Sequence, residues 1–95
     1  VKLNSLQGID VYRIIQEAIN NAVKHAKATK IVVNFEIDGS DLKISIIDNG
    51  VGFDQSTIEA GNGLSSMKKR ANEIDADFEM KSSNQGTEIT IKFKM

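Results

Sequence analysis

Residues 42–48, LKISIID, alternate apolar and polar side chains and then run into DNGVGFD. With a strand period of two, Leu42, Ile44 and Ile46 share one face, and Asp48 continues it. A chain with this stretch must build a sheet whose buried face ends in a carboxylate. An unpaired carboxylate there is costly, so it needs N–H donors. Two sources stay open: backbone N–H groups of an Asx turn, or a ligand that presents an N–H. Asn-Gly is a common hairpin turn, but so tight a turn leads straight into a returning strand. Here Phe53, Asp54, Gln55 and Ser56 follow, and no alternation resumes. Gly50 and Gly52 therefore serve something other than a reversal; with a ligand as the partner of Asp48, they would let the backbone approach it closely.

The rest of the chain supplies the frame. Ninety-five residues, 40% apolar and 26% charged, make one small domain. The absence of cysteine removes disulfides, thiolate metal sites and cysteine nucleophiles. Twelve basic and thirteen acidic residues are interspersed, so no electrostatic footprint for nucleic acid is present. No apolar run reaches the length of a membrane span, and no signal sequence opens the chain. The expectation is a cytoplasmic domain without membrane contact of its own, cut from the interior of a larger protein.

Apolar residues Val11, Ile14, Ile15, Ala18, Ile19, Ala22 and Ala26 recur at helical spacing and predict a helix over 10–28, with Asp10 as its N-cap. KIVVNFEI and DLKISIID, joined around DGSD, predict a β-hairpin. Leu64, Met67, Ala71 and Ile74 predict a second helix after a glycine-rich loop, and DFEMKSS and TEITIKFKM a second hairpin. Hairpins separated by helices predict an α/β (α+β) two-layer sandwich, a mixed β-sheet covered on one face by helices.

On the first helix Glu17, Asn21, Lys24 and His25 fall in one arc of roughly 100° beside the apolar stripe. Such an arc is as compatible with a solvated face, including a Glu-to-Asn contact, as with a binding surface. Gly61 and Gly63, just before the second helix, fit an anion site at a helix N-terminus. Neither a P-loop nor a Rossmann fingerprint is present.

In order, EAINNAVKHA, DNGVGFD, GNGLSSMKKRA and QGTEITIKF resemble the asparagine box and successive glycine boxes of the GHKL ATPase superfamily (Bergerat fold). That superfamily takes in sensor histidine kinases, type II topoisomerases, mismatch-repair ATPases and heat-shock chaperones. Within it, YRIIQEAINNAVKHAKA, a short lid and GLSSMKKRA resemble the catalytic domain of nitrate-sensor and lipid-fluidity-sensor histidine kinases. The resemblance implies ATP and Mg²⁺ as ligands. Asn21 matches the asparagine that ligates Mg²⁺, a hard ion suited to an amide oxygen. Glu17 matches the acid one turn earlier, which activates water in relatives that hydrolyse ATP. Lys24 and His25 match positions near the phosphates and ribose. Asp48 matches the aspartate that accepts from the adenine amino group, and Thr87, after Gly86, helps hold the same end of the base. Gly61 and Gly63, with Leu64 beside them, match the lid end that folds over the phosphates. The chain begins after the family's first strand, unless VKLN is its remnant.

The implied reaction is transfer of the γ-phosphoryl group of Mg·ATP to a histidine on a separate dimerisation domain, in two-component signalling with a response regulator. The histidine-bearing helical hairpin is missing from these 95 residues, and His25, the only histidine, lies in the nucleotide box. The domain alone is thus expected to bind ATP without phosphorylating itself. Two rivals share the boxes: an anti-sigma type serine kinase, and an ATP-hydrolysing domain of topoisomerase or mismatch-repair type. Near-neutral charge, small size and the short lid argue against the second.

Overall fold

The computed structural model describes residues 3–24, 27–50, 63–83 and 85–95. Helix α1 (Ser5–Lys24) leads to strands β1 (Ile31–Asp38) and β2 (Asp41–Asp48); helix α2 (Gly63–Glu73) precedes β3 (Asp77–Ser83) and β4 (Gly86–Lys94). The sheet order is β1-β2-β4-β3, and all three pairings are antiparallel. The α+β sandwich stands, but the expected mixed pairing does not occur among the described strands. The crossover through α2 does make β2 and β3 run the same way. β4 then returns between them, so no two parallel strands are neighbours.

α1 starts five residues before the periodicity predicts. Asn4 is its cap: Asn4 Oδ1 accepts from the Gln7 N–H at 2.8 Å, and Gln7 Oε1 accepts from the Asn4 N–H at 3.1 Å. This reciprocal pair is a capping box, which satisfies two otherwise orphaned donors. Asp10 is therefore no cap. It lies within α1, buried at 1% exposure, with Oδ1 at 3.3 Å from the Arg70 guanidinium of α2. Leu3 and Asn4 precede α1 as coil, so the described part of VKLN is not a strand.

α2 ends in a Schellman motif. Asp75 takes a left-handed φ of 53°, Ala76 N–H bonds to Ala71 O at 2.9 Å, and Asp75 N–H to Asn72 O at 3.2 Å. The first hairpin closes on a two-residue turn whose leading residue, Gly39, has a φ of 64°. That sign matches the twist of the flanking strands.

Register organises the core. On the helix-facing side, Val33, Ile46, Ile89 and Met80 form one row across the sheet; Phe35, Ile44, Ile91 and Phe78 form the next. Ile37, Leu42 and Phe93 form a third. Against these rows pack Val11, Ile14 and Ala18 of α1, Met67 and Ala71 of α2, and Ile74 just beyond it. α1 lies against β2 and α2 against β3, which leaves Phe35 and Ile37 on the edge strand exposed although they share the core side. The opposite face carries Glu36, Lys43, Lys92 and Asp77 in one cross-strand row. That face is solvated, and opposite charges stand across from each other at both of its edges.

Candidate nucleotide site

One end of the sheet breaks the apolar pattern. The helix-facing row after Val33, Ile46, Ile89 and Met80 reads Ile31, Asp48, Thr87 and Ser82. Asp48 is 9% exposed and Thr87 3%. Three adjacent strands thus switch from apolar to polar at the same level, a polar floor at the margin of the core. Asp48 Oδ1 accepts from the Gly50 N–H at 2.8 Å, the Asx-type bond that the sequence left open. That bond fixes the orientation of the carboxylate and accounts for one of its several acceptor positions.

Gly86 makes the row possible. Its φ is 142°, and a Cβ there would collide with the Asp48 carbonyl oxygen. Only glycine combines that backbone angle with so close an approach. Next to it Thr87 Oγ1 lies 3.0 Å from Ser82 Oγ, either hydroxyl being able to donate.

Chain connections bring α1 to the same end. Asn49 Oδ1 accepts from the Thr29 and Lys30 N–H groups at 3.0 and 2.9 Å, and its Nδ2 donates to Thr29 Oγ1 at 3.0 Å. The Asn49 N–H adds a bond to Lys30 O at 3.2 Å. The segment leaving α1 is thereby fastened to the end of β2, immediately beside Asp48. Beyond α1, Lys27 has a φ of 54° and the Ala28 N–H bonds to Ala22 O at 3.0 Å.

Asn21, in the last turn of α1, is 5% exposed, and its Nδ2 has no hydrogen-bond partner among the described residues. A buried amide nitrogen without a partner is costly and fits a site that is completed by a ligand. The amide can present either its oxygen or its nitrogen, because the two are assigned from the hydrogen-bond network. Glu17, one turn earlier, is half-buried, and Lys24 is exposed. The predicted polar arc therefore divides: Asn21 joins the buried side, Lys24 faces solvent. Gly50 is buried beside Asp48. His25, Gly52, Gly61 and the Leu64 side chain lie outside the described residues, and Gly63 is the first residue of α2. An open cleft of about 280 Å³ at this end is lined by Ile47, Lys81 and Glu88 as well as Asp48, Gly86 and Thr87. Ile47, Lys81 and Glu88 belong to the outer face, so this cleft is not the space toward which the Asp48 face of β2 looks.

Sequence patterns did not single out Asn49 and Ser82. The signal for Ser82 was present: alternation in 77–83 places Phe78, Met80 and Ser82 on one face, with a serine where an apolar residue is due. Asn49 gave no such signal, since an amide after an aspartate is ordinary turn chemistry.

Residues 7–95 match the family described as histidine kinase-, DNA gyrase B- and HSP90-like ATPase. Sensor histidine kinase LiaS of Bacillus subtilis (strain 168) is 43% identical over 84 residues, 86% of this chain and 23% of LiaS. The signal transduction histidine-protein kinase/phosphatase DegS of Brevibacillus brevis is 39% identical over 85 residues, 87% of this chain and 22% of DegS. The chain thus spans less than a quarter of the length of these curated relatives. Among solved structures, the ATP binding domain of PrrB from Mycobacterium tuberculosis superposes with a TM-score of 0.76 at 24% identity, over 90% of this chain and 67% of that one. At that identity the likeness is one of fold. The asparagine-bearing helix, the aspartate that ends β2 and the Gly86-Thr87 start of β4 stand together within a matched stretch that covers nearly the whole chain: it belongs to the histidine kinase-, DNA gyrase B- and HSP90-like ATPase family.

Proposed function

We propose that this chain is the catalytic, ATP-binding domain of a cytoplasmic sensor histidine kinase module, and that it holds Mg·ATP for transfer of the γ-phosphoryl group to a histidine on a separate helical dimerisation domain. Relatives named as a sensor histidine kinase and a signal transduction histidine-protein kinase/phosphatase support the class. The observation that carries the ligand assignment is Asp48, a buried acceptor at the end of three apolar rows. Its carboxylate would accept from the amino group of adenine, with Thr87 beside it. Guanine would set a carbonyl against the same oxygens, a mismatch that leaves buried polar groups unpaired.

Asn21 is assigned the metal role because it is buried, its Nδ2 lacks a partner among the described residues, and an amide oxygen suits a hard cation. When bound, magnesium neutralises charge on the phosphates. Glu17, half-buried one turn earlier on the same helix, is the proposed catalytic acid. Gly52, Gly61, Gly63 and Leu64 are proposed to line the phosphate side, with Lys24 and His25 near the phosphates and ribose. The acceptor histidine and the response regulator that receives the phosphoryl group belong to partner domains and proteins. Among the described residues no helix is long and apolar enough to cross a membrane.

Calorimetry tests the assignment. The chain should bind Mg·ATP and Mg·ADP, with GTP much weaker. Asp48→Asn should cost about 1.5–3 kcal/mol of binding, the range for a hydrogen bond to a charged group. Equal affinity for ATP and GTP would sink the role given to Asp48.

A further inference from the structure

β1 is an edge strand with nothing that guards its edge. Among the described residues it pairs with β2 alone. Edge strands that stay solvated commonly carry a proline, a bulge or an inward-facing charge. The sequence has no proline, and the β1–β2 register runs unbroken through all eight residues. The helix-facing residues are Ile31, Val33, Phe35 and Ile37, none of them charged. Phe35 and Ile37 are 59% and 57% exposed. α1 leaves the same side open. Asp10 of α1 meets Arg70 of α2, and α2 lies on the β3 side of the sheet. Tyr12, Ile15 and Ile19 stand roughly 140–200° round the helix from Asp10, so they flank the space above β1. An open cavity of about 270 Å³ is lined there by Tyr12, Ile15, Gln16 and Ile19.

The edge is complementary to itself. Asp38 and Asp41 close a two-residue turn, so they exchange hydrogen bonds with each other. Alternation from that pair turns the N–H and C=O groups of Ile31, Val33, Phe35 and Ile37 to the free edge. An antiparallel copy of β1, centred on Asn34, meets these four residues with the same four. Val33 then stands opposite Phe35 and Ile31 opposite Ile37, each pair twice and each on the helix side. At both ends Lys30 stands opposite Asp38, and both are exposed. Apolar match, opposite charges and hydrogen-bond phase thus agree in one register.

We propose that β1 pairs with β1 of a second copy of this chain, antiparallel and with the two Asn34 residues facing across the dyad, joining two sheets into one of eight strands. The row Met80, Ile89, Ile46 and Val33 continues into Phe35 and Ile44 of the second copy. α1 lies over β2, so the two copies of α1 stand three strand spacings apart, about 14 Å. Packed helices need only roughly 8–10 Å, and Phe35 and Ile37 of both copies occupy the gap. The Asp48 ends of the two sheets point in opposite directions, so neither candidate nucleotide site is covered. The pairing does not rest on the ATP reading and holds or fails separately from it.

Sedimentation equilibrium on the whole chain, from about 1 µM to 1 mM, should show a monomer–dimer equilibrium. Lys30→Glu sets like charges opposite each other at both ends and should raise the dimer dissociation constant about tenfold; Asp38→Lys should do the same. Mixing these two variants should restore association, because their heterodimer brings opposite charges together at both ends. A folding defect in either variant cannot give that recovery. Asn34→Cys, in a chain without cysteine, puts two thiols in a non-hydrogen-bonded pair with Cα atoms roughly 4.5 Å apart, within disulfide reach. It should form a disulfide-linked dimer under mild oxidation. Glu36→Cys faces Val32 of the second copy and should not. A chain that stays monomeric throughout, whether its edge is solvated or covered by another strand, would overturn the proposal. So would equal cross-linking at both positions, or mixed variants that fail to associate, since either means a different contact.

Discussion

At the scale of single residues, Gly86 shows how closely the site is built. Its φ of 142° and the approach of the Asp48 carbonyl leave no room for a side chain. Gly86→Ala must therefore distort the start of β4, where Thr87 and its bond to Ser82 begin. Strain of this kind costs on the order of 1–3 kcal/mol. The urea midpoint should fall accordingly, and ATP affinity should fall with it; an alanine variant with wild-type values for both would show that the strands can part without consequence. Asp48 illustrates a second point. The sequence left it between an Asx turn and a ligand contact. The turn is formed, through Oδ1 and the Gly50 N–H. A carboxylate has enough acceptor positions to do both, so the local bond holds the group that a base would meet.

At the scale of elements, the α1–α2 contact contains a charge where a hydrophobic residue would pack more cheaply. Asp10 is 1% exposed, whereas the Arg70 side chain is 35% exposed, and Asp10 Oδ2 has no partner among the described residues. The two halves of this ion pair should respond unequally to mutation. Arg70→Met strands a buried carboxylate, which costs about 3–5 kcal/mol. Asp10→Asn leaves an arginine that rehydrates at the surface and keeps a neutral amide in place, a loss of about 1 kcal/mol. Urea denaturation of the two variants measures the difference, and equal losses would mean that Asp10 is not buried as described. α2 follows the glycine-rich segment directly, so this pair also fixes the helix that starts at Gly63 against the helix that carries Asn21.

At the scale of the whole molecule, the connections gather the site. The end of α1, the start of β1, the end of β2 and the start of β4 all meet at one end of the sheet, with Asn49 as the fastening. The other end holds the cap of α1, where Gln7 Nε2 donates to Lys94 O at 2.9 Å. The only histidine of the sequence, His25, lies four residues after Asn21, and the proposed function assigns the phosphoacceptor to a separate domain. The chain incubated with γ-labelled ATP should gain negligible label. Adding a helical domain that carries an acceptor histidine should give acid-labile label on that domain, at a rate below that of a tethered pair because the effective concentration is lower. Label on His25 would make the domain its own acceptor and overturn this division of labour.

The element order, the helix-facing side of β2 and the candidacy of Asn21, Asp48 and Thr87 were all legible in the sequence. The first two rest on period, a local property of the chain; the three site residues rest on the resemblance of their boxes to the GHKL family. α1 was placed too late because Leu6 and Ile9 lie on its exposed side, so the buried periodicity begins only near Val11. The start of α1 is set instead by the Asn4–Gln7 capping box, which the apolar period does not register. Antiparallel pairing throughout, the burial of Asp10 against Arg70 and the alignment of Asp48, Thr87 and Ser82 in one row were decided by tertiary structure. Each depends on which strand or helix comes to lie beside which, and the distance along the chain, 60 residues for Asp10 and Arg70, holds no periodic trace of it. Period tells a residue which way to face; only packing tells it whom it meets.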